Sequence, residues 1–403
     1  MKNQLFTRAL SLVLLLLATA CGPNEQQEQE SVMEDNENPT AAFVANPQAV
    51  PEQAVPTLAI GASAPDFNLP GVDGKYHSLS DFAAAKALLI IFTCNHCPTA
   101  QAYEDRMIAV AGDYKAKGVA TVAISPNSPL GLLYEELGYT DLNDDYEDMI
   151  IRSDYKGYNF PYLYDGDDEA VSMQYGPAVT PHAFLFDEDR KLQYVGRLDG
   201  SEKPGTANAE DLRAAIDAVL AGETPAEQVT KTFGCSTKWG WKTAYKKKVE
   251  EEWAQKEVDL KAIDVDGIKT LLKNEDSEKL RLINVWATWC GPCVIEYPDF
   301  IVLQRMYGAR DFEFISLSAD KIAQKDKALK FLKSKDSAVP NYIFEGADIY
   351  EMVEAVDKEW SAALPYTILI EPGGKIIYQK QGEADFLELK RLIVEHPMMG
   401  RYF

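Results

Sequence analysis

Six cysteines carry most of the chemistry available to this 403-residue chain. Four of them form two pairs with one spacing, Cys94-Asn95-His96-Cys97 and Cys290-Gly291-Pro292-Cys293. Two intervening residues bring the second sulfur close to the first on the same helical turn, so each pair can cycle between dithiol and disulfide. A cysteine in the first turn of a helix faces unpaired backbone amides and the positive end of the helix dipole, which favour thiolate over thiol. The second pair has the flanks this chemistry needs. Leu282 to Ala287 reads as a buried strand, and Val294, Pro298, Ile301, Val302 and Arg305 have helical spacing after it. Pro292 in the first turn forgoes no hydrogen bond there. A zinc site would need two more ligands at suitable spacing. A structural bridge rarely closes so small a ring at a strand–helix junction, so the pattern reads as redox chemistry.

The same order of elements is written twice. Upstream, the strand Leu88 to Phe92 leads into Cys94 to Pro98 and a helix to about Lys117. The strand Val119 to Ile124, an acidic insert (Asp141 to Asp148), a helix around Met149 and the strand Pro161 to Tyr164 follow. A short helix (Glu169 to Tyr175), Thr180-Pro181, a hairpin (Ala183 to Phe186, Leu192 to Val195) and a helix from Asp211 to Leu220 close the unit. Downstream come the strand and helix around Cys290, the strand Phe312 to Leu317, a Lys-rich helix (Ala323 to Lys335) and the strand Tyr342 to Phe344. A helix (Ile349 to Trp360), Leu364-Pro365, a hairpin turned by Pro372-Gly373-Gly374 and a helix from Asp385 to Glu395 complete it. The chain is therefore an internal repeat of one α/β fold, with a central mixed sheet flanked by helices. The domains are placed at residues 57–233 and 258–403. Residues 234–257 lie between them, and Lys242 to Lys256 reads as an interdomain helix with i,i+4 pairing of lysines and glutamates.

A formal charge of −23 argues against nucleic acid and anionic membrane surfaces as ligands. Residues 1–20 have a basic end at Lys2 and Arg8, an apolar run from Leu10 and small residues before Cys21, which reads as a secretory signal. Residues 21–56, rich in Glu, Gln, Asn and Pro, read as a solvated tether, about 30–35 Å in mean reach. An exported protein meets conditions in which disulfides persist. Cys235, in Phe233-Gly234-Cys235-Ser236, is left over. It is either a buried small hydrophobe or a mobile thiol relaying between the two pairs.

With these motifs in place, residues 258–397 resemble the membrane-anchored thiol–disulfide oxidoreductases of the TlpA/ResA kind, within the thioredoxin superfamily. The strings are NVWATWCGPCVIEYP and ALPYTILIEPGGKIIY, with Gly382. The resemblance implies that Cys290 is the nucleophile and Cys293 the resolver. It also implies that Pro365 is cis beside Cys290, with Leu364 supplying a backbone edge for a partner chain. Glu296 takes the place of the family acid, while Asn284 stands where thioredoxin has a buried Asp. Residues 57–241 resemble AhpC-related redoxins through FTCNHCPTAQAYEDR, VTPHAFLFD and GCSTKW, which implies a cis Pro181. There Cys94 is expected to be the nucleophile and Cys97 the resolver, with His96 stabilising a neighbouring thiolate. Two other chemistries remain open for this domain: peroxide reduction at Cys97-Pro98-Thr99, and Cu(I) binding by Cys94 and Cys97 with His96 or His182. The small residues before Cys21 resemble a bacterial lipoprotein site, so Cys21 is expected to carry lipid on the cell envelope. The partners implied are protein disulfide substrates, a membrane thiol electron donor and the membrane itself through the lipid; no cofactor or metal is required.

Overall fold

The residues that fix the fold are runs apolar on both faces, as strands covered by helices on each side require. Every residue of strand β3 (Ala87–Phe92) is buried, as is every residue of the corresponding strand in the second repeat, Leu280–Trp286. The structure is a computed structural model and describes residues 43–399.

In the first domain the hairpin β1 (Asn68–Pro70) and β2 (Tyr76–Ser78) precedes β3. Helix α1 (Pro98–Lys115), β4 (Val119–Ser125), α2 (Tyr146–Lys156), β5 (Tyr162–Tyr164), α3 (Ala170–Tyr175), β6 (Val179–Thr180), β7 (His182–Phe186), β8 (Leu192–Gly196) and α4 (Glu210–Leu220) follow. The sheet order is β5-β4-β3-β7-β8, with β3 parallel to β4 and antiparallel to β7. Alternation along β3 divides the core. Leu89 and Ile91 join Met107 and Ile216 on one face, while Leu88, Ile90 and Phe92 join Phe184 and Phe186 on the other.

The linking segment forms β9 (Cys235–Ser236) and α5 (Thr243–Ala254). The second domain contains β10 (Lys261–Ile263), α6 (Val265–Lys273), β11 (Leu280–Trp286), α7 (Gly291–Tyr307), β12 (Phe312–Ser318) and α8 (Lys325–Ser334). It continues with β13 (Asn341–Phe344), α9 (Ile349–Val356), β14 (Tyr366–Ile370), β15 (Ile376–Gln381) and α10 (Phe386–Glu395). Its sheet order, β10-β13-β12-β11-β14-β15, repeats the first with one edge strand added. The molecule is thus two thioredoxin-like α/β domains in tandem.

Two expectations need correction. Residues 43–56 are not free tether: Phe43 packs edge-on to Tyr146 at 4.8 Å, and the backbone amide of Gln48 bonds to Asp167 O at 2.6 Å. The ring contact and the bonds to Asp167, which also accepts from Asn46 N at 2.7 Å, pin the segment together. Nor is the segment at Cys235 mobile, because β9 pairs with β6, Thr180 opposite Cys235. The signal, Cys21 and the rest of the tether lie outside the described residues.

The domains also share a core. The stretch between β4 and α2 reaches across, and its Leu132 and Leu137 are buried in the second domain's hydrophobic cluster. Glu135 accepts from Arg305 Nε of α7 at 2.9 Å, and Tyr307 donates to Thr140 O at 2.7 Å.

Candidate functional site: two thiol centres

Strand register shows which cysteines correspond. Val285 of β11 lies opposite Tyr366, the residue after Pro365, and Phe92 of β3 lies opposite His182, the residue after Pro181. Five residues beyond Val285 is Cys290; five beyond Phe92 is Cys97. Each of these two is the N-cap of the following helix, and each sulfur accepts an amide three residues on: Cys293 N at 3.3 Å, Ala100 N at 3.5 Å. Cys97 is therefore the counterpart of Cys290, and Cys94 sits three residues before that cap. The cap position thus falls on Cys97 and not on Cys94, the residue expected to be the nucleophile. Pro98 carries the signal that could have shown this from sequence, since a proline at the first helical position marks the residue before it as the cap.

In the second domain Cys290 and Cys293 are joined as a disulfide, and the Leu364–Pro365 bond is cis. Asp320 holds the turn before Cys290, accepting from Thr288 N at 2.9 Å and Thr288 Oγ1 at 2.7 Å. Cys290 lies just beneath the surface, flanked by Trp289 (63 % exposed) and Ile295 (78 %), which leave an apolar rim. Glu296, one turn after Cys293, is buried. Its carboxylate accepts from Ala384 N at 2.9 Å and from Asn284 Nδ2 at 3.5 Å. Burial pushes Glu296 up to about 7, against those two hydrogen bonds, which favour the anion. Asn284 also donates to Thr367 Oγ1 at 3.0 Å. The position that carries a buried Asp in thioredoxin here holds an amide that orients the glutamate.

The first domain's thiols are more enclosed. Cys94 and Cys97 are both buried, and Cys235 packs against them. Burial would raise the Cys97 thiol. Hydrogen bonds from Cys235 and Cys94, the His96 charge and the Ala100 amide together outweigh it and leave Cys97 well below the ordinary thiol value. Burial, the hydrogen bond to Cys97 and the Asp144 charge hold Cys94 well above it, so Cys94 keeps its proton. Thr180 Oγ1 lies 3.1 Å from Cys94 Sγ, and the Thr180–Pro181 bond is cis.

Asp144 is the functional residue that sequence reasoning missed, hidden in the acidic insert. Its carboxylate pairs with His96 Nδ1 at 2.6 Å and accepts from His96 N, Asn95 N and Asn127 Nδ2. Burial would lower His96, but the Asp144 charge reverses this and the imidazole is held above its ordinary value. His182, by contrast, is lowered to about 4 by burial and is neutral. Ligand atoms of Cys94, His96 and Asp144 lie within 4.8 Å of one another, the set among the described residues with metal-binding spacing. His96 Nδ1 is already paired with Asp144 at 2.6 Å, and a carboxylate is a poor ligand for Cu(I).

The chain is similar to known proteins in both halves. The AhpC/TSA family model matches residues 60–195 and the Redoxin model residues 248–392. Thiol-disulfide oxidoreductase ResA of Bacillus thuringiensis subsp. konkukian is 31% identical over 131 residues, 32% of this chain and 70% of that protein. A protein of Mycobacterium tuberculosis (strain H37Rv), by name a peroxiredoxin, is 28% identical over 150 residues, 34% of this chain and 82% of its own. The crystal structure of hypothetical protein SMc02350 from Sinorhizobium meliloti 1021 is 35% identical, covering 46% of this chain and 96% of that one, with a TM-score of 0.41. The chain belongs to the redoxins, as an AhpC/TSA domain followed by a thiol–disulfide oxidoreductase domain of the ResA family.

Proposed function

We propose that this protein reduces or relays protein disulfides in the bacterial cell envelope, tethered to a membrane by lipid on Cys21. The Cys290 thiolate attacks a substrate disulfide, forming a mixed disulfide and releasing one substrate thiolate. Cys293 passes its proton to Glu296 and attacks the Cys290 sulfur, releasing the second thiolate. Substrate gains two electrons, and the Cys290–Cys293 disulfide is left. A membrane thiol carrier then returns the pair to the dithiol. The observation that carries this reading is the placement of Cys290 at a helix N-cap under an exposed apolar rim, with Glu296 poised near neutrality behind it. The full chain should reduce insulin disulfides with dithiothreitol as donor, and Cys290→Ser should remove that activity; retention of it would defeat the assignment. The anchor has its own test: Cys21→Ala should shift the protein out of the membrane fraction or block signal removal.

For the first domain a second reading is supported by the burial of Cys97, which favours a small oxidant over a protein. A peroxide would take the Cys97 thiolate to a sulfenate, and Cys94 would resolve it with release of water. Hydrogen peroxide turnover by the Cys290→Ser/Cys293→Ser chain distinguishes this from disulfide exchange.

A further inference from the structure

Strand β9 lies along β6, the backbone immediately before Pro181, in antiparallel register. The equivalent edge of the second domain, at Leu364, has no strand of the described residues beside it. The first domain's edge is therefore filled by the chain itself. The Cys235 amide points at Cys97, with N to Sγ 3.3 Å, and the Cys235 thiol joins Cys94 and Cys97 in one cluster.

Several contacts hold this segment down. Gly234 has φ +136°, and a Cβ there would stand 2.1 Å from Thr180 O, so only glycine allows the approach. Beyond Cys235, Thr237 Oγ1 donates to Pro177 O at 2.6 Å, Lys238 N donates to Asn127 Oδ1 at 2.8 Å, and Lys238 Nζ pairs with Glu136 at 2.5 Å. The Gly-Cys-Ser string is thus a device for fixing one thiol against another.

We propose that Cys235 is a third redox cysteine of the first domain, a built-in disulfide partner held on the strand edge against Cys97. The Cys97 thiolate attacks a small aliphatic disulfide, bonding to one half and releasing the other as thiolate. Cys235 then attacks the Cys97 sulfur, its proton passing to a departing thiolate. The products are a Cys97–Cys235 disulfide, one small thiol and one small thiolate, so two electrons leave the protein and two enter the oxidant. Attack by Cys94 on Cys97 exchanges this bond for Cys94–Cys97 and returns a proton to Cys235. Because Cys97 is fully buried beneath the segment, any disulfide reaches it only as β9 shifts from the edge, a movement that a small disulfide needs least. The inference rests on reading the first domain as a thiol–disulfide centre.

The test uses the full chain carrying Cys290→Ser and Cys293→Ser, oxidised with one equivalent of oxidised glutathione and mapped by mass spectrometry. With Cys94→Ser added, most molecules should acquire a Cys97–Cys235 bond; glutathione retained on Cys97 would overturn the proposal. With Cys235→Ser added instead, Cys94–Cys97 should still form, and its failure would remove the dithiol reading of the domain itself. Gly234→Val should eject β9 and speed alkylation of Cys97 by iodoacetamide about tenfold or more in protein whose circular dichroism is unchanged. An unchanged rate in folded Gly234→Val protein would show that the segment does not cover the thiol. If Gly234→Val does not fold, the Cys94→Ser map decides alone.

Discussion

Glu296 shows how burial turns an ordinary acid into a proton carrier. Its carboxyl is raised from 4.5 to about 7, so the neutral form is the one the fold favours. The stability this group contributes is complete below about pH 4.5 and is lost as pH rises through 7. Glu296→Gln should therefore match the parent near about pH 4 and exceed it near about pH 8.5 by about 1–2 kcal/mol, after allowance for screening. Denaturant midpoints at the two pH values check this, and equal midpoints at high pH would contradict it. The same variant should accumulate mixed disulfide on Cys290, because Cys293 has lost its proton acceptor. At the other centre Asp144 satisfies four donors in the interior. Asp144→Ala should cost about 3–5 kcal/mol, the usual result of leaving a buried charge and its donors unpaired. His96 should then titrate lower.

At the scale of elements, the two strand–turn–helix units hold their reactive sulfurs alike. Each helix presents its first amides to a cap sulfur, and each preceding strand fixes where that cap stands. In the second domain the turn is held by Asp320, which bonds Thr288 twice and Ser318 Oγ at 3.0 Å. Asp320→Ala should leave the helix formed but let Cys290 wander. Insulin reduction should fall about tenfold, a cost typical of lost positioning, with a much smaller change in melting temperature. Equal rates would mean the turn is held by its backbone alone. In the first domain the corresponding constraint is Asp144, which accepts from Asn95 N and His96 N, while β9 is added along β6 from outside the repeat.

Across the whole molecule, the insertion between β4 and α2 makes one body of two repeats. Leu137 is 4 % exposed and belongs to the second domain's core cluster, so its removal opens a cavity there. Leu137→Ala should destabilise by about 2–5 kcal/mol. The parent should melt in a single calorimetric transition, whereas the variant should separate into two as the domains lose their shared core. A single transition in both would show the remaining contacts, Arg305 with Glu135 and Tyr307 with Thr140, to be sufficient. Arg391 of α10 adds a further tie, with Nε 3.1 Å from Asp141. Asp141 and Asp144 thus face a domain partner and the His96 imidazole, respectively, from one short stretch.

The sequence by itself determined the repeat, the strands on either side of each motif and the redox character of the Cys290–Cys293 pair. Those properties depend on local spacing: apolar runs make strands, and a cysteine beside a helix start gains amides from its own backbone. Glu296 was marked through the resemblance to the TlpA/ResA kind, as the acid three residues after the second cysteine. The pairing partners were not legible. Asp144 is 48 residues from His96, and nothing local distinguishes it from the acids around it. Cys235 is 138 residues from Cys97 and reads as a leftover thiol until β9 pairs with β6. Which cysteine of the first pair is the cap was legible in Pro98, which marks the residue before it, and strand register places Cys97 there as well. Burial then set the charges, because desolvation and neighbouring ions depend on what the completed fold brings within a few ångströms.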